Sequence, residues 1–390
     1  MTLRLRAKRT LWLAAMLAAG GVQARESPGT TAAPVLQIPV GSRPAGMAGA
    51  FTAVAEGPYG MHYNPAGLSR SDGHELAFGF VSGFAGNRLQ QLGYAGPLRY
   101  PGIFSQGATG LGFGLIYSQS GNIEVNRLNS DGSLQSSSEL DAGSDLVLSG
   151  AYSERLGETP LNIISRDDCA LSHSIGAAAK FIRSTLVEQY HANALAADLG
   201  YLAECRELGL SAGAVAQHFG QKMRFIDEAD PLPATLRTGL ALRRAWAQGQ
   251  FLAAGDAQYL LHEKQIQGLL GLEYQWQGRF AGRAGYRLQD GAPGLTLGFG
   301  LRWERFLIDY AWEMAEALSH SHRFSLSYRF GPPPRRESQR GAGPRRESPH
   351  RYDESPEPAS VDTSAEPPPR RRSRPIPPPE PNDPLPGWIY

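Results

Sequence analysis

The chain has 390 residues, a formal net charge of +1, nine histidines and two cysteines. A balance this close to neutral leaves no nucleic-acid footprint, and no segment holds the roughly 20 uncharged apolar residues that a spanning helix needs, which excludes a helical membrane protein. The 46 glycines are more informative, because glycine fits where one backbone approaches another or where a sheet must bend.

Arg4, Arg6, Lys8 and Arg9 precede an apolar run over 11–17 and the small-residue end Val22-Gln23-Ala24, the layout of a signal peptide over 1–24. A retained anchor is the alternative, against which the run is short. The mature chain is expected to begin near Arg25, outside the cytoplasm, where Cys169 and Cys205 can pair.

Within the N-terminal segment 25–72, the pattern from about residue 36 to 71 follows neither a helical nor a strand period. Small residues dominate 40–55, and Asn64-Pro65 followed by Ala66-Gly67 is turn chemistry. Such a segment can pack tightly inside something larger. The alternative is an ordinary Gly-rich loop ahead of the first strand.

Period-two alternation then runs through 73–330. Strands are expected at 74–82, 89–97, 108–119, 143–155, 173–184, 192–204, 206–217, 234–245, 249–259, 265–276, 279–288, 294–303, 304–313 and 320–330. An even number suits a closed barrel whose first and last strands meet antiparallel, and closure removes the edges that lipid cannot satisfy. The predicted fold is therefore all-β, a 14-stranded antiparallel transmembrane barrel in the bacterial outer membrane. Its expected surroundings are the outer-membrane lipid bilayer and the barrel-insertion machinery, which would read the aromatic end at Tyr328 and Phe330.

Alternation sorts the late strands into two faces. Phe280, Tyr286, Leu295, Leu297, Phe299, Phe306 and Tyr310 fall outward; Arg237, Asp256, Glu273, Arg279, Arg283, Arg287, Arg302, Asp309 and Glu313 fall inward. Charges of both signs on one face suit ion pairing around an insert, whereas a single sign would suggest an ion-selective pore.

Long connections at 120–142 and 218–233 are expected outside the cell, with short turns at 246–248, 277–278 and 303–304 in the periplasm, along with both termini. The connection 156–172 is the exception, a long one on the periplasmic side. Cys169 within it and Cys205 are expected about 10 Å apart, two strands across. A flexible loop would let them form a disulfide; two free thiols are the alternative. Residues 331–390 hold most of the prolines, repeat Pro-Arg-Arg-Glu-Ser at 334–338 and 344–348, and cannot build a core. A disordered periplasmic tail is expected there.

The run Gly41, Ser42, Arg43, Gly46, Met47, Gly49, Ala50, 51–55 and Asn64 to Leu68 resembles the N-terminal signature of the FadL-type outer-membrane transporter superfamily, most closely its PorV/PorQ branch. Tyr286-Arg287, 295–300 and Asp309-Tyr310-Ala311 are similar to that branch's closing strands, while Glu56-Gly57 departs from its usual pair of acids. The resemblance implies that the segment over 25–72 contains a hatch plugging the lumen, with Met47, Phe51, Tyr59, Met61, Asn64 and Pro65 as hatch and gate candidates. It also implies passive transport of a hydrophobic small molecule, with a lipophilic ligand. A second implication is a PorV-like, non-enzymatic subunit of a protein-secretion, surface-attachment or motility complex. Its periplasmic or secreted protein partner would bind through the tail or the loops. An uncharged-solute porin is a third reading, which a luminal hatch disfavours.

No enzyme motif emerges. Gly110, Gly112 and Gly114 alternate with outward apolar residues as strand glycines do, and the histidines lack zinc-ligand spacing. No cofactor, metal or nucleic-acid partner is expected.

Overall fold

The computed structural model describes residues 31–83, 86–162, 168–187, 189–288, 294–314 and 320–331. The expected signal peptide over 1–24 and the expected tail, save Gly331, lie outside the described residues.

Eighteen strands follow the N-terminal segment: β1 (His74–Ser82), β2 (Arg88–Leu98), β3 (Thr109–Gln119), β4 (Asn122–Leu128), β5 (Leu134–Asp141), β6 (Gly143–Asn162), β7 (Asp168–Leu186), β8 (Tyr190–Cys205), β9 (Leu210–Gly220), β10 (Met223–Arg224), β11 (Ala229–Asp230), β12 (Thr235–Trp246), β13 (Gly249–Leu260), β14 (Gln265–Trp276), β15 (Phe280–Leu288), β16 (Gly294–Trp303), β17 (Phe306–Glu313) and β18 (Ser321–Phe330). All but β4, β5, β10 and β11 form one closed antiparallel barrel of 14 strands. It shuts where β1 pairs with β18 from His74↔Phe330 to Ser82↔His322, so no backbone edge faces lipid.

The two faces separate as alternation requires. Phe78, Phe113, Leu148, Leu240, Leu272, Leu297 and Phe324 are exposed outward, while Ala77, Ile116, Val147, Ile182 and Ser325 are buried inward. Large apolar side chains turned out around a whole closed wall make it a membrane-spanning barrel. Tyr328 and Phe330 lie on this outer face, Tyr328 against Phe306 at 5.0 Å and Phe330 stacked on His74 at 5.5 Å between ring centroids.

Several expectations are corrected. The connections 120–142 and 218–233 are not plain loops, since β4 pairs with β5 and β10 with β11 in small hairpins. The region 156–172 is mostly strand: β6 and β7 run 20 and 19 residues and stay paired as far as Asn162↔Asp168, so mutual pairing replaces the expected loop. For the same reason the cysteines are not two strands apart. Cys169 lies in β7 and Cys205 in the adjacent β8, bonded with Cα atoms 5.9 Å apart. Arg279 is exposed in the turn before β15, outside the charged wall, because Arg279 N–H closes that turn onto Trp276 O at 3.0 Å.

The two ends of the described chain also part company. Ala32 N–H donates to Pro231 O at 2.9 Å, and Gln37 donates to Glu263 at 2.8 Å, both in connections at the end carrying the hairpins, here the long-loop end. Phe330 sits at the opposite, short-turn end. An even strand count places the start of β1 and the end of β18 together, but the segment ahead of β1 crosses the lumen first. The described chain ends therefore do not share one side of the barrel.

Candidate functional site

Residues 31–72 descend through the lumen in four short turns: a 3-10 turn Pro34–Gln37, α1 (Ser42–Ala45), α2 (Gly57–Gly60) and a 3-10 turn Pro65–Arg70. None is long enough to persist alone, so the wall must hold them. It does so first by close approach. Gly41 has φ +82, and a Cβ there would lie 2.5 Å from the Tyr59 ring; a Cβ on Gly271 would lie 2.7 Å from that of Met47. Met61 packs on Gly112 and Gly114, which explains the alternating glycines of β3.

Polar groups supply the second hold. Asp256 accepts from Phe51 N–H and Thr52 N–H at 3.0 Å each and from the Thr52 hydroxyl at 2.6 Å, while Arg237 reaches the same carboxylate at 3.0 Å and Gly49 O at 2.7 Å. Asn64 donates to Thr52 O at 3.1 Å and to Tyr201 O in the wall at 2.9 Å, and accepts from Ala66 N–H at 3.1 Å. Nearer the short-turn end, Arg43 binds Glu273 at 2.8 Å and Glu56 at 2.9 Å, Arg283 joins Glu273 to Asp309 at 2.6 Å each, and Arg243 also reaches Glu56. Arg70 donates to Val54 O at 2.7 Å and faces Glu204 at 3.4 Å.

The electrostatics of the insert follow from these partners. Burial opposes charge on Glu56, but Arg243 and Arg43 outweigh it and hold the carboxyl well below the usual carboxylate range. Burial also works against Arg43, and Glu273 with Glu56 keeps it firmly protonated. His62 is the reverse case. Burial, aided by nearby Lys180, pushes it from 6.5 down to about 3, so it sits neutral in the lumen.

The upper lumen differs on one side. Val81, Leu89, Ile116, Val147 and Ile182 face inward from β1, β2, β3, β6 and β7, linked by the pairs Val81↔Leu89, Ile116↔Val147 and Val147↔Ile182. Val35 and Val40 pack into the same apolar cluster, with Leu36 and Ile38 against it. Residues 35–40 thus form a short cover over an apolar arc. Beside it lies a cavity of about 210 Å³, bounded by this cover, Ile116 and Val147 on one side and by Lys180, His218 and Arg237 on the other. Lys180 binds Asp198 at 2.6 Å, and His218 N–H donates to Asp198 at 2.9 Å. These residues sit where β8 and β9 shift register between Ala197 and Leu199.

Among the expected hatch residues, Met47, Phe51, Tyr59, Met61, Asn64 and Pro65 are all buried in the lumen. Phe51 meets Tyr63 edge-on at 5.4 Å, with the Arg43 guanidinium 5.4 Å over its ring. Among the expected luminal charges, Arg237, Asp256, Glu273, Arg283 and Asp309 are buried on the inner wall, Arg287 and Glu313 pair at 2.9 Å, and Arg302 is half-buried. Arg43, Thr52, Glu56 and Arg70 were missed as anchors. Their signal was available, since charged residues in a small-residue segment destined for a lumen need partners on the wall. Lys180, Asp198 and the apolar arc were also missed; each is an inward position in an alternating strand. Among the described residues one group has metal-ligand character, Cys169, Cys205 and Glu207, and its two sulfurs are bonded to each other.

No family model matches the chain, and no curated protein matches it. Among solved structures it is similar to the Pseudomonas putida toluene transporter TodX, at 15% identity over 79% of this chain and 99% of that one, with a TM-score of 0.48. It is also similar to the Acinetobacter baumannii outer membrane protein Omp33, at 5% identity over 66% and 98%, with a TM-score of 0.39.

Proposed function

We propose that the chain is an outer-membrane barrel for passive passage of a hydrophobic small molecule, entering at the long-loop end. The observation that carries this is the apolar arc from Val81 to Ile182, which shares one buried cluster with the cover at 35–40 and with Met223 and Leu232 of the long connection. Displacing that cover would expose a half-chamber able to take an acyl chain or hydrocarbon, at about 0.8 kcal/mol for each methylene buried. Below it the lumen is filled and ion-paired, so the route leads sideways through the wall. The register shift between β8 and β9, beside the cavity, is the place for that exit.

Such a protein extracted gently from its own membrane is expected to carry a fatty acid or hydrocarbon, detected by lipid analysis and native mass spectrometry. Replacing Val147 by Lys removes that ligand if the chamber holds it. Retention of the ligand by the variant would contradict the reading.

A second reading has its own observation. A lumen sealed by the Arg43–Glu273–Arg283–Asp309 chain suits a PorV-like, non-enzymatic envelope subunit that binds a protein partner without conducting anything. An extracted barrel that is empty of lipid, retains a protein and loses it when 331–390 is deleted would favour this reading over transport.

A further inference from the structure

The outer wall near the short-turn end buries a carboxylate where lipid is expected. Alternation along β6 turns Leu148, Tyr152 and Glu154 outward, with Glu154 opposite Thr109 of β3, yet Glu154 is 0% exposed. The connection 99–108 folds back over it. Ile103 N–H and Phe104 N–H donate to its oxygens at 2.8 and 3.0 Å, and the Tyr152 hydroxyl donates at 3.0 Å. Ser105 Oγ donates to Arg155 O at 2.6 Å, and Arg155 N–H to Ala108 O at 2.8 Å, which pins the far side of the connection to the strand. Gly102 lies so close to the Glu154 carboxylate that no Cβ fits there.

Satisfying that carboxylate turns the loop's own side chains away from the wall. Tyr100, Ile103 and Phe104 are 74%, 76% and 72% exposed, while the next outward positions along the wall are the paired Leu111 and Tyr152 and then the exposed Phe113. The patch is therefore continuous with the lipid-facing surface. It lies at the end of the barrel that also carries the exposed aromatic residues Phe280, Trp303, Phe306 and Phe330. At β3 and β6 that aromatic series is interrupted, because Thr109 and Glu154 occupy the outward positions.

We propose that residues 99–107 form an interfacial foot. Tyr100, Ile103 and Phe104 enter the headgroup and acyl boundary of the leaflet at the short-turn end, and Glu154 is the positioning residue that holds the loop over the wall. The occupant is lipid, since aromatic and apolar side chains at this end of the barrel partition into the interface and the patch extends a surface already immersed in acyl chains.

The test labels Phe104→Cys with the fluorophore NBD in the full chain with the native disulfide intact, reconstituted in phosphatidylcholine vesicles with and without brominated acyl chains. The same label at Ser133→Cys, exposed in the β4–β5 turn, serves as the aqueous control. The foot predicts blue-shifted emission at 104 that drops severalfold in brominated lipid, with neither effect at 133. Adding Glu154→Leu, which suits an outward position and should leave the barrel folded, is expected to return the label at 104 to aqueous emission; Glu154→Gln, which still accepts a hydrogen bond, is expected to preserve part of the shift. Heat-modifiable gel mobility checks that each variant still forms the barrel. Aqueous emission at 104 in the otherwise unchanged protein would overturn the proposal. So would a label shielded only in native membranes and insensitive to brominated lipid, since that points to a protein on the patch.

Discussion

The lumen contains two kinds of packing around one continuous insert. From Arg43 to Arg70 the insert is fastened by buried charges and backbone hydrogen bonds that include Asp256, Glu273 and Glu204. Residues 35–40, by contrast, lie in an apolar cluster and are tied by neutral or backbone-carbonyl contacts, Gln37 to Glu263, Arg323 to Pro39 O and the Tyr63 hydroxyl to Val40 O. Breaking one partner of a buried pair leaves a stranded charge and costs ~3–5 kcal/mol. Apolar contact can instead be exchanged for a ligand of similar shape at little net cost. The difference separates an anchor built to stay from a cover built to be replaced.

The most damaging way to break the comparison is to remove the acceptor at the centre of the anchor. Asp256→Ala leaves two backbone N–H groups, a hydroxyl and Arg237 without their partner, and is expected to cost about 3–5 kcal/mol of insert stability. Hydrogen exchange over 47–55 reads that loss; unchanged protection would mean the anchor is elsewhere. Next, Ile116→Lys puts a charge in the apolar arc. Uptake of a hydrophobic probe into proteoliposomes should fall at least about tenfold, equivalent to ~1.4 kcal/mol, while protection over 47–55 stays as it was.

Smaller effects sharpen the contrast between wall and insert. Replacing both Cys169 and Cys205 with Ser opens a closure spanning 36 residues and should lower wall stability by ~2–3 kcal/mol in denaturant without changing uptake. Weakest is the pH dependence of His62. Its folded value, about 3, lies below its ordinary 6.5, so the unfolded segment binds the proton first as pH falls. The contribution to stability is complete above 6.5 and disappears progressively down to about 3. Protection factors over 57–70, corrected for the intrinsic pH dependence of exchange, should therefore fall between pH 6.5 and 4 in the native protein and less so in His62→Gln; an equal fall in both would assign the effect to another group.

The barrel was legible because alternation is a backbone property. Outward Phe and Leu against inward Ser, Ala and Arg repeat wherever lipid lies on one side and an insert on the other, so β12–β18 could be read within a residue or two. The paired extension of β6 and β7 escaped because Gly157, Pro160 and a β-bulge after Arg155 interrupt the alternation there, and with it went the adjacency of the cysteines. In the site, inward charges such as Asp256 and Glu273 showed on the strands, but their partners lie up to 230 positions away, as for Arg43 and Glu273. The cover stayed hidden because Val35, Ile38 and Val40 read as a loop until the arc across from them is assembled in space. Long-range apolar contact leaves no local period to detect.

The division between cover and anchor is tested most directly with two engineered locks. Gln37→Cys with Glu263→Cys joins the cover to the loop it already touches, and Ser42→Cys with Ser325→Cys joins the anchor to β18, where the two hydroxyls lie 2.8 Å apart. Uptake of a hydrophobic probe into vesicles is measured with each pair oxidised and then reduced, with the unlocked protein carried through the same steps. Arrest by the oxidised 37–263 lock, reversed on reduction, with no effect of the 42–325 lock, is the result expected of a movable cover on a fixed anchor. The opposite pattern, with arrest only when residue 42 is tied to the wall, would contradict the account and make movement of the whole insert the gate.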